Sequence, residues 1–150
     1  LSRFPQERRV WWEDFDGVAP TAVEEIVRWA SPVVYMRRTL TRDFELSGAR
    51  MRQGDKVTMW YCSANRDEDR FVDPWRFDVR RNPNPHLGFG GGGAHFCLGA
   101  NLARREIKVA FEELRNQLPD IAVSGKPRRL ISAFIHGIKE LPVSWTPVRA

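Results

Sequence analysis

Phe89-Gly90-Gly91-Gly92-Gly93-Ala94-His95-Phe96-Cys97-Leu98-Gly99 joins a glycine-rich loop to a single cysteine at the start of a strongly patterned helix. Consecutive glycines let a backbone approach a flat ligand and reach positive φ values that side chains forbid. A cysteine at a helix N-terminus lies at the positive end of the macrodipole, beside unpaired amide N–H groups. That setting favours thiolate over thiol. Downstream, Leu98, Leu102, Ile107, Ala110, Phe111, Leu114 and Leu118 recur at helical spacing up to Pro119. The spacing predicts a helix whose apolar stripe belongs to the core.

Several chemistries could use such a loop. Gly88-x-Gly90-x-x-Gly93 has the form of a dinucleotide fingerprint, which needs an apolar strand before it and an acidic residue ending a second strand. Arg80-Arg81-Asn82-Pro83-Asn84-Pro85 precedes it instead, and prolines at that density exclude a central strand. No Gly-Lys-Ser/Thr follows, so the Walker form fails as well. Cys62 and Cys97 form no C-x-x-C pair, and His86, His95 and His136 show no zinc-binding spacing. An inert buried thiol stays open, beside a thiolate presented for axial ligation of haem iron.

The whole chain bounds these readings. Its 150 residues suffice for one domain with a core. With 42% hydrophobic and 29% charged residues the composition is that of a globular protein. The net charge of +5 is spread along the chain rather than gathered in a tail, and no nucleic-acid motif accompanies it. Two cysteines outside any disulfide-type framework fit a reducing compartment. No apolar run approaches the roughly 18 residues of a membrane helix, so a cytoplasmic location without a membrane span is expected. The chain opens on Leu1, and Leu1–Arg9 reads as the tail of a helix and its exit, as expected for the C-terminal part of a longer chain.

Thr21-x-x-Glu24 has the form of a capping box and Pro32 a stop, predicting a helix over Ala22–Ala30. Arg38–Leu46, Ala49–Met51 and Val57–Tyr61 read as strands separated by Ser47-Gly48 and Gln53-Gly54-Asp55. Residues 63–88, with three X-Pro pairs, read as a long loop with at most one helical turn. Leu130–Ile135 and Leu141–Trp145 read as a final β-hairpin.

The cysteine loop resembles that of the cytochrome P450 haem-thiolate monooxygenases: aromatic residue, glycines, basic residue, cysteine, glycine. The commonest family form places the aromatic residue seven positions before the cysteine, whereas Phe89 stands eight before Cys97. The resemblance implies that Cys97 is the axial iron ligand, that His95 bonds a haem propionate, and that Gly93 and Gly99 pass close to the ring and the sulfur. Phe89 would shield that sulfur. Glu25-x-x-Arg28 and Pro74-Trp75-Arg76-Phe77 match a buried cluster in which Glu25, Arg28 and Arg76 hold the long loop. Arg38 matches a second propionate partner, with Arg37 as its neighbouring competitor. Val34, Met36, Phe134 and Ile135 match positions that contact substrate, and Arg104, Arg105 and Lys108 match a surface that meets the electron donor.

The implied fold is mainly α with small antiparallel β-sheets, the C-terminal portion of the cytochrome P450 fold, with residues 1–150 forming the haem-binding part of one larger domain. The implied cofactor is haem b, and the implied partners are a ferredoxin and its reductase. Within the family, the run from Arg81 to Arg104 resembles mycobacterial members that hydroxylate the terminal carbon of methyl-branched lipids, and secondarily sterol side chains. A haem-binding module without oxygenase activity, or a truncated chain that binds no haem, remain alternatives.

Overall fold

The computed structural model describes residues 1–147. Helices α1 (Pro5–Glu13) and α2 (Phe15–Ala30) open the chain. The expected helix tail at Leu1–Arg9 is therefore corrected: Pro5 sits in the first turn of α1, where its missing N–H costs nothing. The start of α2 is corrected too. Asp14 caps it, its Oδ1 accepting from the Gly17 N–H at 3.1 Å. Thr21 lies inside the helix and donates its hydroxyl to the Val18 and Val79 carbonyls.

Phe15, Val18, Ala19, Ala22, Val23 and Val27 share the buried face of α2. Trp11 stacks on Phe15 with ring centroids 5.3 Å apart, and Phe77 and Val79 of the long loop close the same core. Burying this face stabilises α2 by far more than Pro20 in its interior costs, about 3 kcal/mol.

Strands β1 (Tyr35–Thr39) and β4 (Lys56–Trp60) pair antiparallel, with Met36 opposite Met59 and Arg38 opposite Val57. Between them β2 (Phe44–Leu46) and β3 (Ala49–Met51) form a hairpin. The single strand expected over Arg38–Leu46 is thus two, because Leu40 turns back to exchange backbone hydrogen bonds with Asp55 and Gly54. A short α3 (Tyr61–Ala64) follows, and then residues 65–92 run without a regular element.

After one 3-10 turn at Gly93–His95, α4 (Ala100–Gln117) packs across α2, its Phe111 against Trp11. Its apolar stripe is not core throughout. Leu98 and Leu102 are exposed, while Ile107, Phe111, Leu114 and Leu118 are half-buried. The last residues pair as β5 (Ala122–Val123) with β8 (Val143–Ser144), and β6 (Arg128–Arg129) with β7 (Ile138–Glu140). Within the expected strand Leu141–Trp145 lies β8, but it pairs with β5, and no strand forms over Leu130–Ile135, because Leu130–Gly137 is the loop of the β6–β7 hairpin and turns onto Val33 and Val34 instead. Among the described residues no helix is long and apolar enough to cross a membrane.

Candidate functional site

The long loop is held from beneath by charge buried in α2. Glu25 and Arg28 are both fully buried, and Arg28 Nε and Nη2 each donate to a Glu25 carboxylate oxygen at 2.7 Å. This is the bidentate, charge-assisted geometry. The other Arg28 hydrogen bonds go to the carbonyls of Asn65, Pro74 and Arg76. Glu25 also accepts from the Asp78 N–H and from Asn84 Nδ2. One side-chain pair thereby satisfies loop backbone that has no secondary structure of its own.

The third basic member differs from expectation. Arg76 contributes its carbonyl oxygen, while its side chain is exposed. Arg81 takes the place instead, with Nε 3.2 Å from Glu25 Oε2 and Nη atoms donating to the carbonyls of Val72, Asp73 and Arg76. The motif Pro74-Trp75-Arg76-Phe77 directed attention to the wrong arginine. Distinguishing Arg81 from Arg80 and Arg76 needs the path of the loop.

Asn65 is a further buried partner that the sequence did not disclose. Its side chain donates to Ser31 Oγ and accepts the Leu87 N–H at 2.7 Å. Leu87 leads directly into the glycine loop. Gly88 lies so close to α2 that a Cβ there would stand 2.5 Å from Val27 Cγ1. Gly92 and Gly93 then take φ values of 95° and 75°, which bring the chain round into the 3-10 turn.

The Cys97 N–H donates to the Phe89 carbonyl at 2.9 Å, closing the loop on itself. Gly99 caps α4, and a Cβ on Gly99 would lie 3.9 Å from Cys97 Sγ, so the sulfur rests over the helix N-terminus. Every residue from Gly91 to Gly99 is exposed, including Cys97, His95 and the apolar Leu98. The inert buried thiol is thereby set aside.

The Phe89 ring is held from two sides. The Arg104 guanidinium carbon is 4.6 Å from its centroid, and the His86 ring centroid is 5.8 Å away. Both partners bond Glu24: His86 Nε2 at 2.8 Å, Arg104 Nε at 2.5 Å and Nη2 at 3.0 Å. His86 Nδ1 accepts the Gly88 N–H, which leaves Nε2 as the donor to Glu24. Burial would raise the Glu24 carboxyl, but hydrogen bonds from His86 and Arg104 outweigh it and hold its pKa at about 2. Of the three basic residues expected to face a partner, Arg104 is thus turned inward. Lys108 is bonded to Asp16, and Arg105 is exposed.

Arg38 is exposed on β1, its Nη1 bonded to the Arg37 carbonyl. Two of the expected substrate positions are brought together: the Val34 N–H donates to the Phe134 carbonyl, and Val33 bridges to Ile135. Met36 follows in β1, half-buried. A cavity of about 1990 Å³ opens elsewhere, lined by Trp12, Trp29, Phe111 and Leu141 among others, and none of these expected site residues lines it.

The exposed Cys97 thiol thus stands on a glycine loop beside the N-terminus of α4, and the loop that leads to it is braced by a buried ion pair. The family model for cytochrome P450 matches residues 18–115, and the chain belongs to that family. It is 74% identical over 146 residues to the methyl-branched lipid omega-hydroxylase of Mycobacterium bovis, covering 97% of this chain and 34% of that protein. It is 50% identical over 136 residues to the steroid C26-monooxygenase of the same organism, covering 90% and 31%. A Mycobacterium marinum cytochrome P450 solved in complex with pseudoionone superposes with a TM-score of 0.93 at 51% identity, over 97% of this chain and 35% of that one. The chain spans about a third of the length of the curated relatives it matches.

The family implies haem, and the donor set fits it. Cys97 has no cluster of His, Cys, Asp or Glu around it among the described residues. One axial sulfur suits iron that a macrocycle already holds by its other donors. The exposed glycines and Leu98 beside the thiol leave space for a flat apolar group.

Proposed function

We propose that this chain is the haem-ligating part of a monooxygenase that hydroxylates the terminal carbon of a methyl-branched lipid. The observation that carries it is the exposed Cys97 thiol on its glycine loop in a chain of this family. Cys97 would be the axial ligand, with Arg38 and His95 bonding the propionates of haem b and Gly93 and Gly99 leaving the ring and sulfur room. When bound, haem supplies activation of oxygen and transfer of one oxygen atom into an unactivated C–H bond. The chain's own share is to hold the sulfur in place and to orient the substrate.

Val34, Met36, Phe134 and Ile135 would meet that substrate. Their apolar character suits an aliphatic chain, and the 74% identity to a methyl-branched lipid omega-hydroxylase supports the same class. A steroid side chain is the second reading, favoured by the 50% identity to a steroid C26-monooxygenase. Electrons would come from a ferredoxin and its reductase, with the exposed Arg105 of α4 offered to an acidic partner.

Reduction of the haem-loaded full-length protein under carbon monoxide is expected to give a thiolate-type Soret band, and Cys97→Ala to abolish it. Persistence of that band in the variant overturns the ligand assignment. Product analysis with a methyl-branched fatty acid and a sterol side by side separates the two substrate readings.

A further inference from the structure

Glu24, His86 and Arg104 come from three separate parts of the chain: α2, the proline-rich loop and α4. Glu24 bonds the other two, and those two meet on one ring. Phe89 lies under the Arg104 guanidinium and beside His86, and its carbonyl oxygen takes the Cys97 N–H. The Glu24 carboxylate is one-quarter exposed and the Arg104 side chain about one-third, so their charges act partly shielded from water. The Glu24 hydrogen bond and charge hold the Arg104 guanidinium above its usual pKa, so the pair stays ionised against the ring of the residue that bonds the Cys97 N–H.

We infer that Glu24 and Arg104 are positioning residues that set how strongly the Cys97 sulfur donates electrons, through a balanced charge pair anchored on Phe89. This rests on the reading of Cys97 as a haem ligand. Arg104 draws density away from the sulfur, Glu24 offsets that pull, and His86 fixes the carboxylate in the orientation that pairs with Arg104. The two charges therefore act on the sulfur with opposite signs.

The opposition of signs separates an electrostatic role from a merely structural one. In the haem-loaded full-length protein, Glu24→Gln leaves the Arg104 charge uncompensated. The reduction potential of the iron is expected to rise, and the carbon–oxygen stretch of the ferrous carbon monoxide complex to rise with it. Arg104→Gln leaves the carboxylate alone, and both quantities are expected to fall. The double variant is expected to return towards the parent, and Arg104→Lys, which keeps the charge without the planar fork, to stay near it.

Shifts of the same sign in both single variants, no shift in either, or an Arg104→Lys value matching Arg104→Gln would each overturn the proposal. A parent protein whose carbon monoxide complex lacks the thiolate-type band overturns the ligand reading and this inference with it. The first three outcomes leave the ligand reading standing.

Discussion

Arg28 spends its guanidinium entirely inside the molecule: two bonds to Glu25 and three to backbone carbonyls. Taking a guanidinium and a carboxylate out of water is costly, and only this full set of partners offsets it. Arg28→Ala leaves the buried Glu25 with Arg81 as its nearest cation, removes the Pro74 carbonyl's donor and takes one donor each from the Asn65 and Arg76 carbonyls. We expect a loss of about 3–5 kcal/mol in urea unfolding. Arg28→Lys should recover only part, because one ammonium cannot reproduce the bidentate fork. Arg76→Ala tests the corrected assignment. Its side chain is exposed and its carbonyl survives substitution, so its effect should lie within about 0.5 kcal/mol. A loss as large as that of Arg28→Ala would return Arg76 to the cluster.

At the scale of elements, the glycine loop is seated by close contact with α2. Gly88 has no room for a Cβ, and the atom it would strike belongs to Val27, itself almost fully buried. Gly88→Ala should therefore cost about 1–3 kcal/mol as overpacking. Adding Val27→Ala removes the clash, so the double variant should be more stable than the sum of the two single losses, read as a positive coupling in denaturant midpoints. Additive losses would mean that the loop is held by its hydrogen bonds rather than by this contact. The elements differ in how plainly their sequences announced them. The bounds of α4 and β3 follow from local pattern, since helical spacing ended by Pro119 and a short run after Ser47-Gly48 have few competing solutions. The start of α2 was hidden because Thr21 and Glu24 mimic a capping box while both serve distant partners, the Val79 carbonyl and Arg104. Leu130–Ile135 is β-prone, yet its backbone closes a hairpin loop onto Val33 and Val34, a tertiary preference that local propensity does not contain. In the site, Cys97 and the Glu25–Arg28 pair were legible because their spacing is local. Arg81, Asn65 and the Glu24–His86–Arg104 cluster join residues far apart in the chain.

For the whole molecule, Glu24 is where α2, the loop and α4 are tied together, and the tie depends on pH. Its carboxyl has a pKa of about 2 in the folded protein against an ordinary 4.5. A carboxyl depressed by folding stabilises the folded state wherever it is ionised in both states, which is above its unfolded value. That contribution is present in full above pH 4.5 and is lost as pH falls from there towards 2. Glu24→Gln removes the titration while keeping the side-chain shape. The variant should be less stable than the parent at neutral pH, and the gap should close as pH falls through this window. Asp16 and Asp120 are also held below the usual carboxylate range, Asp16 by its hydrogen bond to Lys108 and Asp120 by its hydrogen bonds to Thr146. They steepen the acid limb of parent and variant alike and cancel in the difference between them. Denaturant midpoints measured for both proteins through the acid range check this. A gap that stays constant with pH would mean that Glu24 ties the three elements by shape and not by its charge.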